Sequence, residues 1–284
     1  MSHTDPYFVS EPAAISFSGG RTSAYMLWRV LQAHGGTLPD HIKVVFANTG
    51  KEMPQTLDFV RDCSEQWGVD IAWVEYGGRT IQEAGKNYDY RYRVVDHATA
   101  SRKGEPFTRL IKEIGGLPNA VQRYCSGQLK VRTIKRYLID RGFKSPYISM
   151  IGLRGDEKRR AIKLHNKLIE GQDCWCPLYV DEVTKEHISD FWSNQIFDLQ
   201  LPNNNGVTDW GNCDLCFLKA TSKRMSIIRE RPDLADWWID QEDSMQDQFG
   251  RNKPSYKKMK VIATDQGNLF EFADDESIPC YCGD

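Results

Sequence analysis

The chain has 284 residues, of which 40% are hydrophobic and 27% are charged, a composition typical of a globular enzyme that excludes a disordered chain. The net charge of −2 provides no overall basic field for nucleic acid, and a mean hydropathy of −0.56 without a long apolar run excludes a membrane span. The N-terminal residues lack a basic stretch followed by an apolar one, so we expect no secretory signal and a cytoplasmic location.

Strand-like and helix-like segments alternate in the first half of the chain. A short apolar strand at 13–17 is followed by a helical pattern at 22–33 and by a β-branched strand at 41–47. A second helix is predicted at 54–67 and a third strand at 69–75. This order predicts right-handed βαβ units and a parallel sheet.

The third predicted strand is followed by a stretch that has no clear period. Residues 77–119 are polar, aromatic and interrupted by glycines, so we expect a long loop above the sheet. A basic helix at 128–141, a strand at 147–153 and a helix after Pro177 follow. The composition changes at 201–206, which predicts two domains, 1–200 and 201–284, the second a mainly helical, cysteine-bearing extension.

The segment Ser18-Gly19-Gly20-Arg21-Thr22-Ser23 lies where the first strand turns into a helix. Two glycines permit a tight turn with outward-facing N–H groups, and the helix N-terminus favours an anion. The hydroxyl groups are donors for phosphate oxygens, although a plain helix cap is the alternative. The segment differs from the Walker pattern because no Gly-Lys-Ser/Thr follows at the required distance.

The same segment resembles the S-G-G-x-x-S loop of the adenine nucleotide α-hydrolase (PP-loop) superfamily. Four further motifs resemble its phosphoadenosine phosphosulfate (PAPS) reductase branch and occur in the same order: 46–52 with 56–60, 123–125 with 129–130, 151–157 with 159–160, and 177–178 with the helix that ends near Trp192. The resemblance implies a Rossmann-like (HUP-type) α/β fold, with a parallel sheet between helices and a nucleotide at the C-terminal ends of its strands.

For the nucleotide, the resemblance implies ATP, or PAPS or adenosine phosphosulfate (APS). The binding residues that it implies are Ser16, Phe17, Ser18, Gly19, Gly20, Thr22, Ser23, Phe46, Ala47, Asn48, Lys130, Gly152 and Arg154. Arg154 would also be catalytic, because an arginine at a strand's C-terminal end suits bidentate contact with phosphate or sulfate. A salt bridge from Arg154 to Asp156 or Glu157 is the alternative.

Eight cysteines are unusual for a chain that needs no disulfides to fold. We predict that Cys63 is a buried apolar residue. The resemblance implies that Cys125 and the C-x-x-C pair Cys213 and Cys216 bind a [4Fe–4S] cluster. Because Ser126 stands where a fourth cysteine is expected, the remaining ligand would be Cys280 or Cys282, with Cys174 or Cys176 as weaker choices. Zinc and reduced structural thiols are the alternatives.

The tail departs from the sulfonucleotide reductases, since no Glu-Cys-Gly-Leu/Ile-His motif is present. Together with the intact loop, which the superfamily uses to split ATP, the resemblance implies an enzyme that cleaves ATP, with Mg²⁺, to AMP and pyrophosphate. It would activate an acceptor for sulfur transfer, with a sulfur donor and the iron–sulfur cluster. The first alternative is a PAPS or APS reductase that forms sulfite with a thioredoxin-like reductant, with Cys280 or Cys282 as nucleophile. The second is a non-catalytic nucleotide- or nucleic-acid-binding protein with a structural metal.

Two basic runs contrast with the nearly neutral whole chain. One spans 123–136 and the other spans 154–163, on either side of the predicted crevice. Each is either a solvated helix face or part of a surface that attracts RNA or DNA through its phosphates. The histidines follow no catalytic motif, and we interpret them as surface or capping residues.

Overall fold

The computed structural model describes residues 5–81, 88–203, 208–250, 253–265 and 278. The strands in these residues are β1 (Ala13–Phe17), β2 (Ile42–Asn48), β3 (Ile71–Ile81), β4 (Tyr88–Val95), β5 (Tyr147–Ile151), β6 (Lys167–Ile169) and β7 (Gln172–Trp175). They form one seven-stranded sheet in the order β4-β3-β2-β1-β5-β7-β6.

The central strands are parallel and the two edge strands are antiparallel. β1 pairs in parallel with β2 on one side and with β5 on the other, while β4 and β6 run against their neighbours. The chain therefore builds the sheet outward from β1 in both directions, and the strand order reverses between β1 and β5. Open α/β sheets bind ligands at the carboxyl ends of the strands beside such a reversal.

Helices surround the sheet and continue beyond it. The α-helices of the described residues are α1 (Arg21–Ala33), α2 (Pro54–Trp67), α3 (Glu105–Ile114), α4 (Thr133–Ile139), α5 (Lys158–Leu164), α6 (Pro177–Val180), α7 (Lys185–Ser193), α8 (Thr221–Glu230), α9 (Ala235–Met245) and α10 (Tyr256–Thr264). A π-helical segment, Ser126–Arg132, leads into α4, and 3₁₀ turns at Gly155–Glu157 and Pro232–Leu234 precede α5 and α9.

The buried strand residues alternate between two apolar layers. Ile15 and Phe17 of β1 belong to the larger core cluster, which also contains buried side chains of α1 and α2. Ala14 belongs to the opposite cluster, where Ile134 and Leu138 of α4 cover the sheet. Period-two alternation with apolar residues on both faces is what a sheet covered on both sides requires. The predicted Rossmann-like α/β fold with a helical C-terminal region is confirmed.

The C-terminal helices pack around an aromatic group. The Trp238 ring stacks on Tyr256 at a centroid distance of 5.1 Å and meets the edge of Phe249 at 5.0 Å. These side chains belong to the same large apolar cluster as Ile15 and Phe17 of the sheet. The core is thus continuous across residue 200, while the domain boundary at 200/201 stays a prediction.

The prediction of a long loop at 77–119 is wrong. β3 continues to Ile81, β4 pairs with it, and α3 follows. The apolar side chains of α3, at Phe107, Leu110, Ile111 and Ile114, recur at helical spacing, and glycines flank this helix on both sides. Charged residues between them concealed this period. The short strands β6 and β7 are further elements that the sequence analysis did not include.

Within the described ranges, no helix has both the length and the apolar character needed to cross a membrane.

Candidate functional site

The segment 18–23, here called the serine loop, connects β1 to α1 at the reversal of strand order. Gly19 has φ = +79°, a conformation that residues with a side chain rarely adopt. A Cβ atom on Gly19 would also lie 2.7 Å from Cγ2 of Thr56 and 3.3 Å from the Phe46 ring. Both observations require glycine at this position, as the sequence predicts for a tight turn.

Hydroxyl groups hold the serine loop together from inside. The Ser18 backbone N–H donates to Ser23 Oγ at 3.2 Å, and the two serine hydroxyl oxygens lie 2.9 Å apart. Ser23 Oγ also donates to the Gly20 carbonyl at 2.9 Å. The Arg21 side chain forms a two-point ion pair with Asp198, and its carbonyl accepts from the Trp192 indole N–H at 3.0 Å. The loop is therefore fixed by its own serines and by contacts with α7 and the chain after it.

Gly152 and Arg154 follow β5 and lie beside the serine loop. A Cβ atom on Gly152 would come within 3.2 Å of the Ser23 Cα atom, so glycine permits the close approach of the two segments. The Arg154 guanidinium donates to Asp156 Oδ1 at 2.9 Å and to Thr22 Oγ1 at 3.2 Å. Arg154 thus makes the alternative salt bridge and also contacts the loop, while its role toward phosphate or sulfate stays a prediction.

A cavity lies between the serine loop and α7, and we call it the α7 cavity. Polar groups from four parts of the chain line it: Ser18, Gly19, Thr22, Thr56, Arg154 and Lys185. Lys185 makes no salt bridge to any described residue. Thr56 Oγ1 is buried and has no hydrogen-bond partner among the described groups. Such a group is expected to be satisfied by a ligand or water, because an unpaired buried hydroxyl is costly.

A second cavity, the π-helix cavity, lies on the other side of the serine loop. It is lined by Ser16, Ser126, Lys130, Ser149, Gly152 and Gln172, and it also contacts Phe17, Ser18, Ser23 and Ala47. Gln172 Nε2 is buried without a hydrogen-bond partner in the described chain. Ser18 belongs to both linings, so the two cavities meet at the loop.

Two predicted nucleotide residues have their side chains occupied elsewhere. The Phe46 ring lies in the core against Trp73, at a centroid distance of 5.0 Å. The Asn48 amide donates to Glu75 Oε1 at 2.7 Å and to the Ser101 carbonyl at 2.8 Å. Neither side chain lines either cavity. Any contact of residues 46–48 with a ligand would therefore be made by Ala47 or by the backbone of this segment.

The cysteines divide according to burial. Cys63, Cys174, Cys176 and Cys216 are buried, which confirms the prediction for Cys63, whereas Cys125 and Cys213 are half-buried. Burial raises the pKa of Cys176 to about 12. Cys213 and Cys216 share a turn in which the Cys216 N–H donates to the Cys213 carbonyl. No three His, Cys, Asp or Glu side chains in the described ranges form a group that could hold a metal ion. Cys280 and Cys282 lie outside these ranges, so the metal set with Cys125 stays a prediction.

Cys213 lies in a small polar cluster behind the loop that follows β2. Its sulfur is 3.5 Å from Thr49 Oγ1, and its backbone pairs with that of Glu52. Burial, with a smaller contribution from Glu52, raises the pKa of this thiol. Next to it, Lys51 and Asp214 form a buried ion pair at 2.8 Å, with each side chain at most 6% exposed. The C-terminal region is thus attached directly to the end of β2.

The comparison with protein families agrees with this arrangement. The family model of the phosphoadenosine phosphosulfate reductase domain matches residues 12–165, more than half of the chain. The chain belongs to this family. The match covers the serine loop with Gly19, and it also covers Gly152 and Arg154. It ends before α7 and the C-terminal region.

Two relatives extend the likeness without adding an activity. The uncharacterized nin region protein ORF290 of Escherichia phage lambda is 32% identical over 210 residues, which cover 74% of this chain and 67% of that protein. The uncharacterized protein MJ0066 of Methanocaldococcus jannaschii is 28% identical over 156 residues, which cover 55% of this chain and 25% of that protein.

The sequence analysis did not predict several residues that line the α7 cavity and the π-helix cavity. Thr56, Lys185 and Gln172 come from α2, α7 and β7, which are far from the serine loop in sequence. Thr56 and Lys185 lie next to or within motifs that the sequence analysis used only as family markers. No local signal singled out Gln172, since its place in the cavity depends on the strand order.

Proposed function

We propose that this protein binds ATP and cleaves it at the α-phosphate, releasing pyrophosphate and activating an acceptor for sulfur transfer. The observation that carries the proposal is the serine loop, which presents backbone and hydroxyl groups to two neighbouring cavities at the reversal of strand order. Membership in the reductase domain family supports an adenine nucleotide as ligand. The finer steps below are inferred from the residues around the loop.

The α7 cavity suits the phosphate chain. Gly19 and Gly20 expose the backbone at the N-terminus of α1, where partial positive charge favours an anion. Arg154 and Lys185 supply two full charges on the cavity wall. A phosphate would compete with Asp156 for Arg154, because both are anions that accept from the same guanidinium.

The π-helix cavity suits the nucleoside. It has small residues at its floor, Ala14 and Ala47, and hydroxyl or amide groups at its walls, including Ser126 and Gln172. A base placed there would find a free donor in Gln172 Nε2. With the base on this side and the phosphates on the other, the α-phosphate would lie near Ser18.

In the proposed step, an oxygen of the acceptor forms a bond to the α-phosphorus, and the bond from that phosphorus to the bridging oxygen breaks. The electron pair leaves with pyrophosphate. Arg154 and Lys185 stabilise the charge that develops on the transferred and leaving groups, which is the main contribution a protein makes to such a reaction. AMP bound to the acceptor is then the leaving group for a sulfur nucleophile.

The predicted metals enter this proposal only as binding partners. Mg²⁺ would accompany ATP as its counter-ion. Cys125, Cys213 and Cys216, with Cys280 or Cys282, remain the predicted ligands of the iron–sulfur cluster or of zinc, and we assign no step to them. Iron and zinc analysis of anaerobically purified protein checks this set.

A second candidate is the reduction of PAPS or APS to sulfite. The family match and the position of Arg154, which suits sulfate as well as phosphate, favour it. Three of the described cysteines suit it less, because burial raises the pKa of Cys63, Cys176 and Cys213 and so disfavours a nucleophilic thiolate. Cys280 or Cys282 would supply the nucleophile, as the sequence predicts.

One experiment separates these functions. Calorimetric titration compares ATP, PAPS and APS, and turnover is followed as pyrophosphate from ATP with RNA or DNA present, or as sulfite from PAPS or APS with reduced thioredoxin. We expect tighter binding of ATP and release of pyrophosphate. Sulfite formation would establish the reductase instead. Binding without either product would establish a non-catalytic nucleotide-binding protein.

Lys185 offers a prediction that is specific for the phosphate chain. We expect Lys185→Gln to weaken ATP binding about tenfold, which corresponds to one charged contact, and to change AMP binding less than twofold. The exposed Lys257→Gln variant is the matched control and should change neither affinity. Equal weakening of ATP and AMP by Lys185→Gln would contradict the placement of phosphates in the α7 cavity.

A further inference from the structure

A groove with basic walls runs beside the π-helix cavity, and we call it the basic groove. Its cationic lining residues are Arg123, Arg132, Arg159, Arg160 and Lys163, against the single carboxylate of Glu170. The walls come from the π-helical segment on one side and from α5 on the other. The two basic runs of the sequence therefore meet in one place.

Two of the cations in this groove have acidic partners among the described residues. Arg132 pairs with Glu170 at 3.0 Å, and Arg160 pairs with Glu157. Arg159 and Lys163 are exposed and make no salt bridge to any residue that the structure describes. They lie four positions apart on α5, so they face the same side, where like charges repel each other. An anion between the walls would relieve this repulsion.

The groove also has an apolar part of its lining, formed by Val131, Leu164, Ile169 and Ile278. A nucleic-acid strand matches this combination, because it presents regularly spaced phosphates together with flat apolar base faces. An acidic peptide would bring carboxylates but little to cover the apolar residues. Four of the five cations are arginines, whose planar guanidinium binds phosphate at two points.

The basic groove and the π-helix cavity share two lining residues, Ser126 and Val131. The groove therefore leads to the place where the proposed nucleotide lies. We propose that the basic groove binds the sugar–phosphate backbone of a nucleic-acid strand and holds it as the acceptor beside the nucleotide. This inference rests on the proposed function, since it names the class of acceptor.

The test measures binding of fluorescent single-stranded RNA, single-stranded DNA and duplex DNA by anisotropy at several salt concentrations, with the full chain. We expect a strand to bind, and Arg159→Gln/Lys163→Gln to weaken it at least tenfold at low salt while lowering the slope of log K against log salt by about two. The strand that binds most tightly identifies the polymer. The double variant should keep the ATP affinity of the wild type.

The control is Lys257→Gln/Lys258→Gln, which removes two exposed charges from α10. Equal weakening by this control would overturn the proposal, because binding would then follow total charge alone. Absence of strand binding, or displacement of the strand by polyglutamate at equal charge, would also overturn it. If the wild type does not bind ATP, the proposed function is refuted instead. Failure of the groove proposal and failure of the proposed function are therefore distinguishable.

Discussion

Asp214→Ala is expected to lower the free energy of unfolding by about 3–5 kcal/mol, because it leaves the buried Lys51 ammonium without its anion. The Asp214 carboxylate also accepts from the Trp238 indole N–H at 2.8 Å, so the same change removes a contact to α9. Urea denaturation followed by tryptophan fluorescence measures the loss.

Two further variants make this result specific. Lys51→Met/Asp214→Leu removes both charges and should recover most of the lost stability, since a buried ion pair is often replaceable by apolar residues of similar size. Asp233→Ala breaks the exposed pair with Arg231 and should cost less than about 1 kcal/mol. A loss from Asp214→Ala no larger than that from Asp233→Ala would show that the buried pair contributes little.

Arg154→Gln should weaken ATP binding by about ten- to a hundredfold, because one guanidinium that contacts phosphate is lost. Asp156→Asn should act in the opposite direction and tighten ATP several-fold, because the phosphate no longer displaces a carboxylate from Arg154. Calorimetric titration with ATP measures both changes, and near-identical thermal unfolding of the variants would confirm intact folding.

The opposite effects expected of these two variants separate a phosphate contact from a structural role of Arg154. Arg61→Gln is the control, because Arg61 pairs with Asp58 and Asp62 on the surface of α2. It should leave ATP affinity unchanged. If Asp156→Asn weakens ATP as much as Arg154→Gln does, the arginine serves the local structure of the β5–α5 connection and not the phosphate.

The parts of the site that could be predicted from sequence are contiguous in the chain. The serine loop combines its glycines, its hydroxyl groups and the flanking strand and helix within a few residues, so local rules suffice. Arg154 could be placed because it follows β5, and a strand's C-terminal end faces the crevice. Its pairing with Asp156 is the stated alternative, whereas its contact with Thr22 is not among the predictions.

The parts that could not be predicted depend on tertiary structure. Gln172 reaches the cavity only because β7 pairs with β5, and Lys185 only because α7 packs beside α1. Neither neighbour relation can be read from one sequence. The region of β4 and α3 is different, since its periodic pattern was present but interrupted by charges. The roles of Cys280 and Cys282 stay predictions of the sequence.

Ser18 has a consequence for how ligands would influence one another. It contacts both the α7 cavity and the π-helix cavity, so an occupant of either one meets the same side chain. In the proposed function, binding on one side would alter what Ser18 offers on the other. Such a coupling is reciprocal, so a nucleoside and pyrophosphate would change each other's affinity by the same factor. The serine loop would in this way couple the two halves of the proposed substrate.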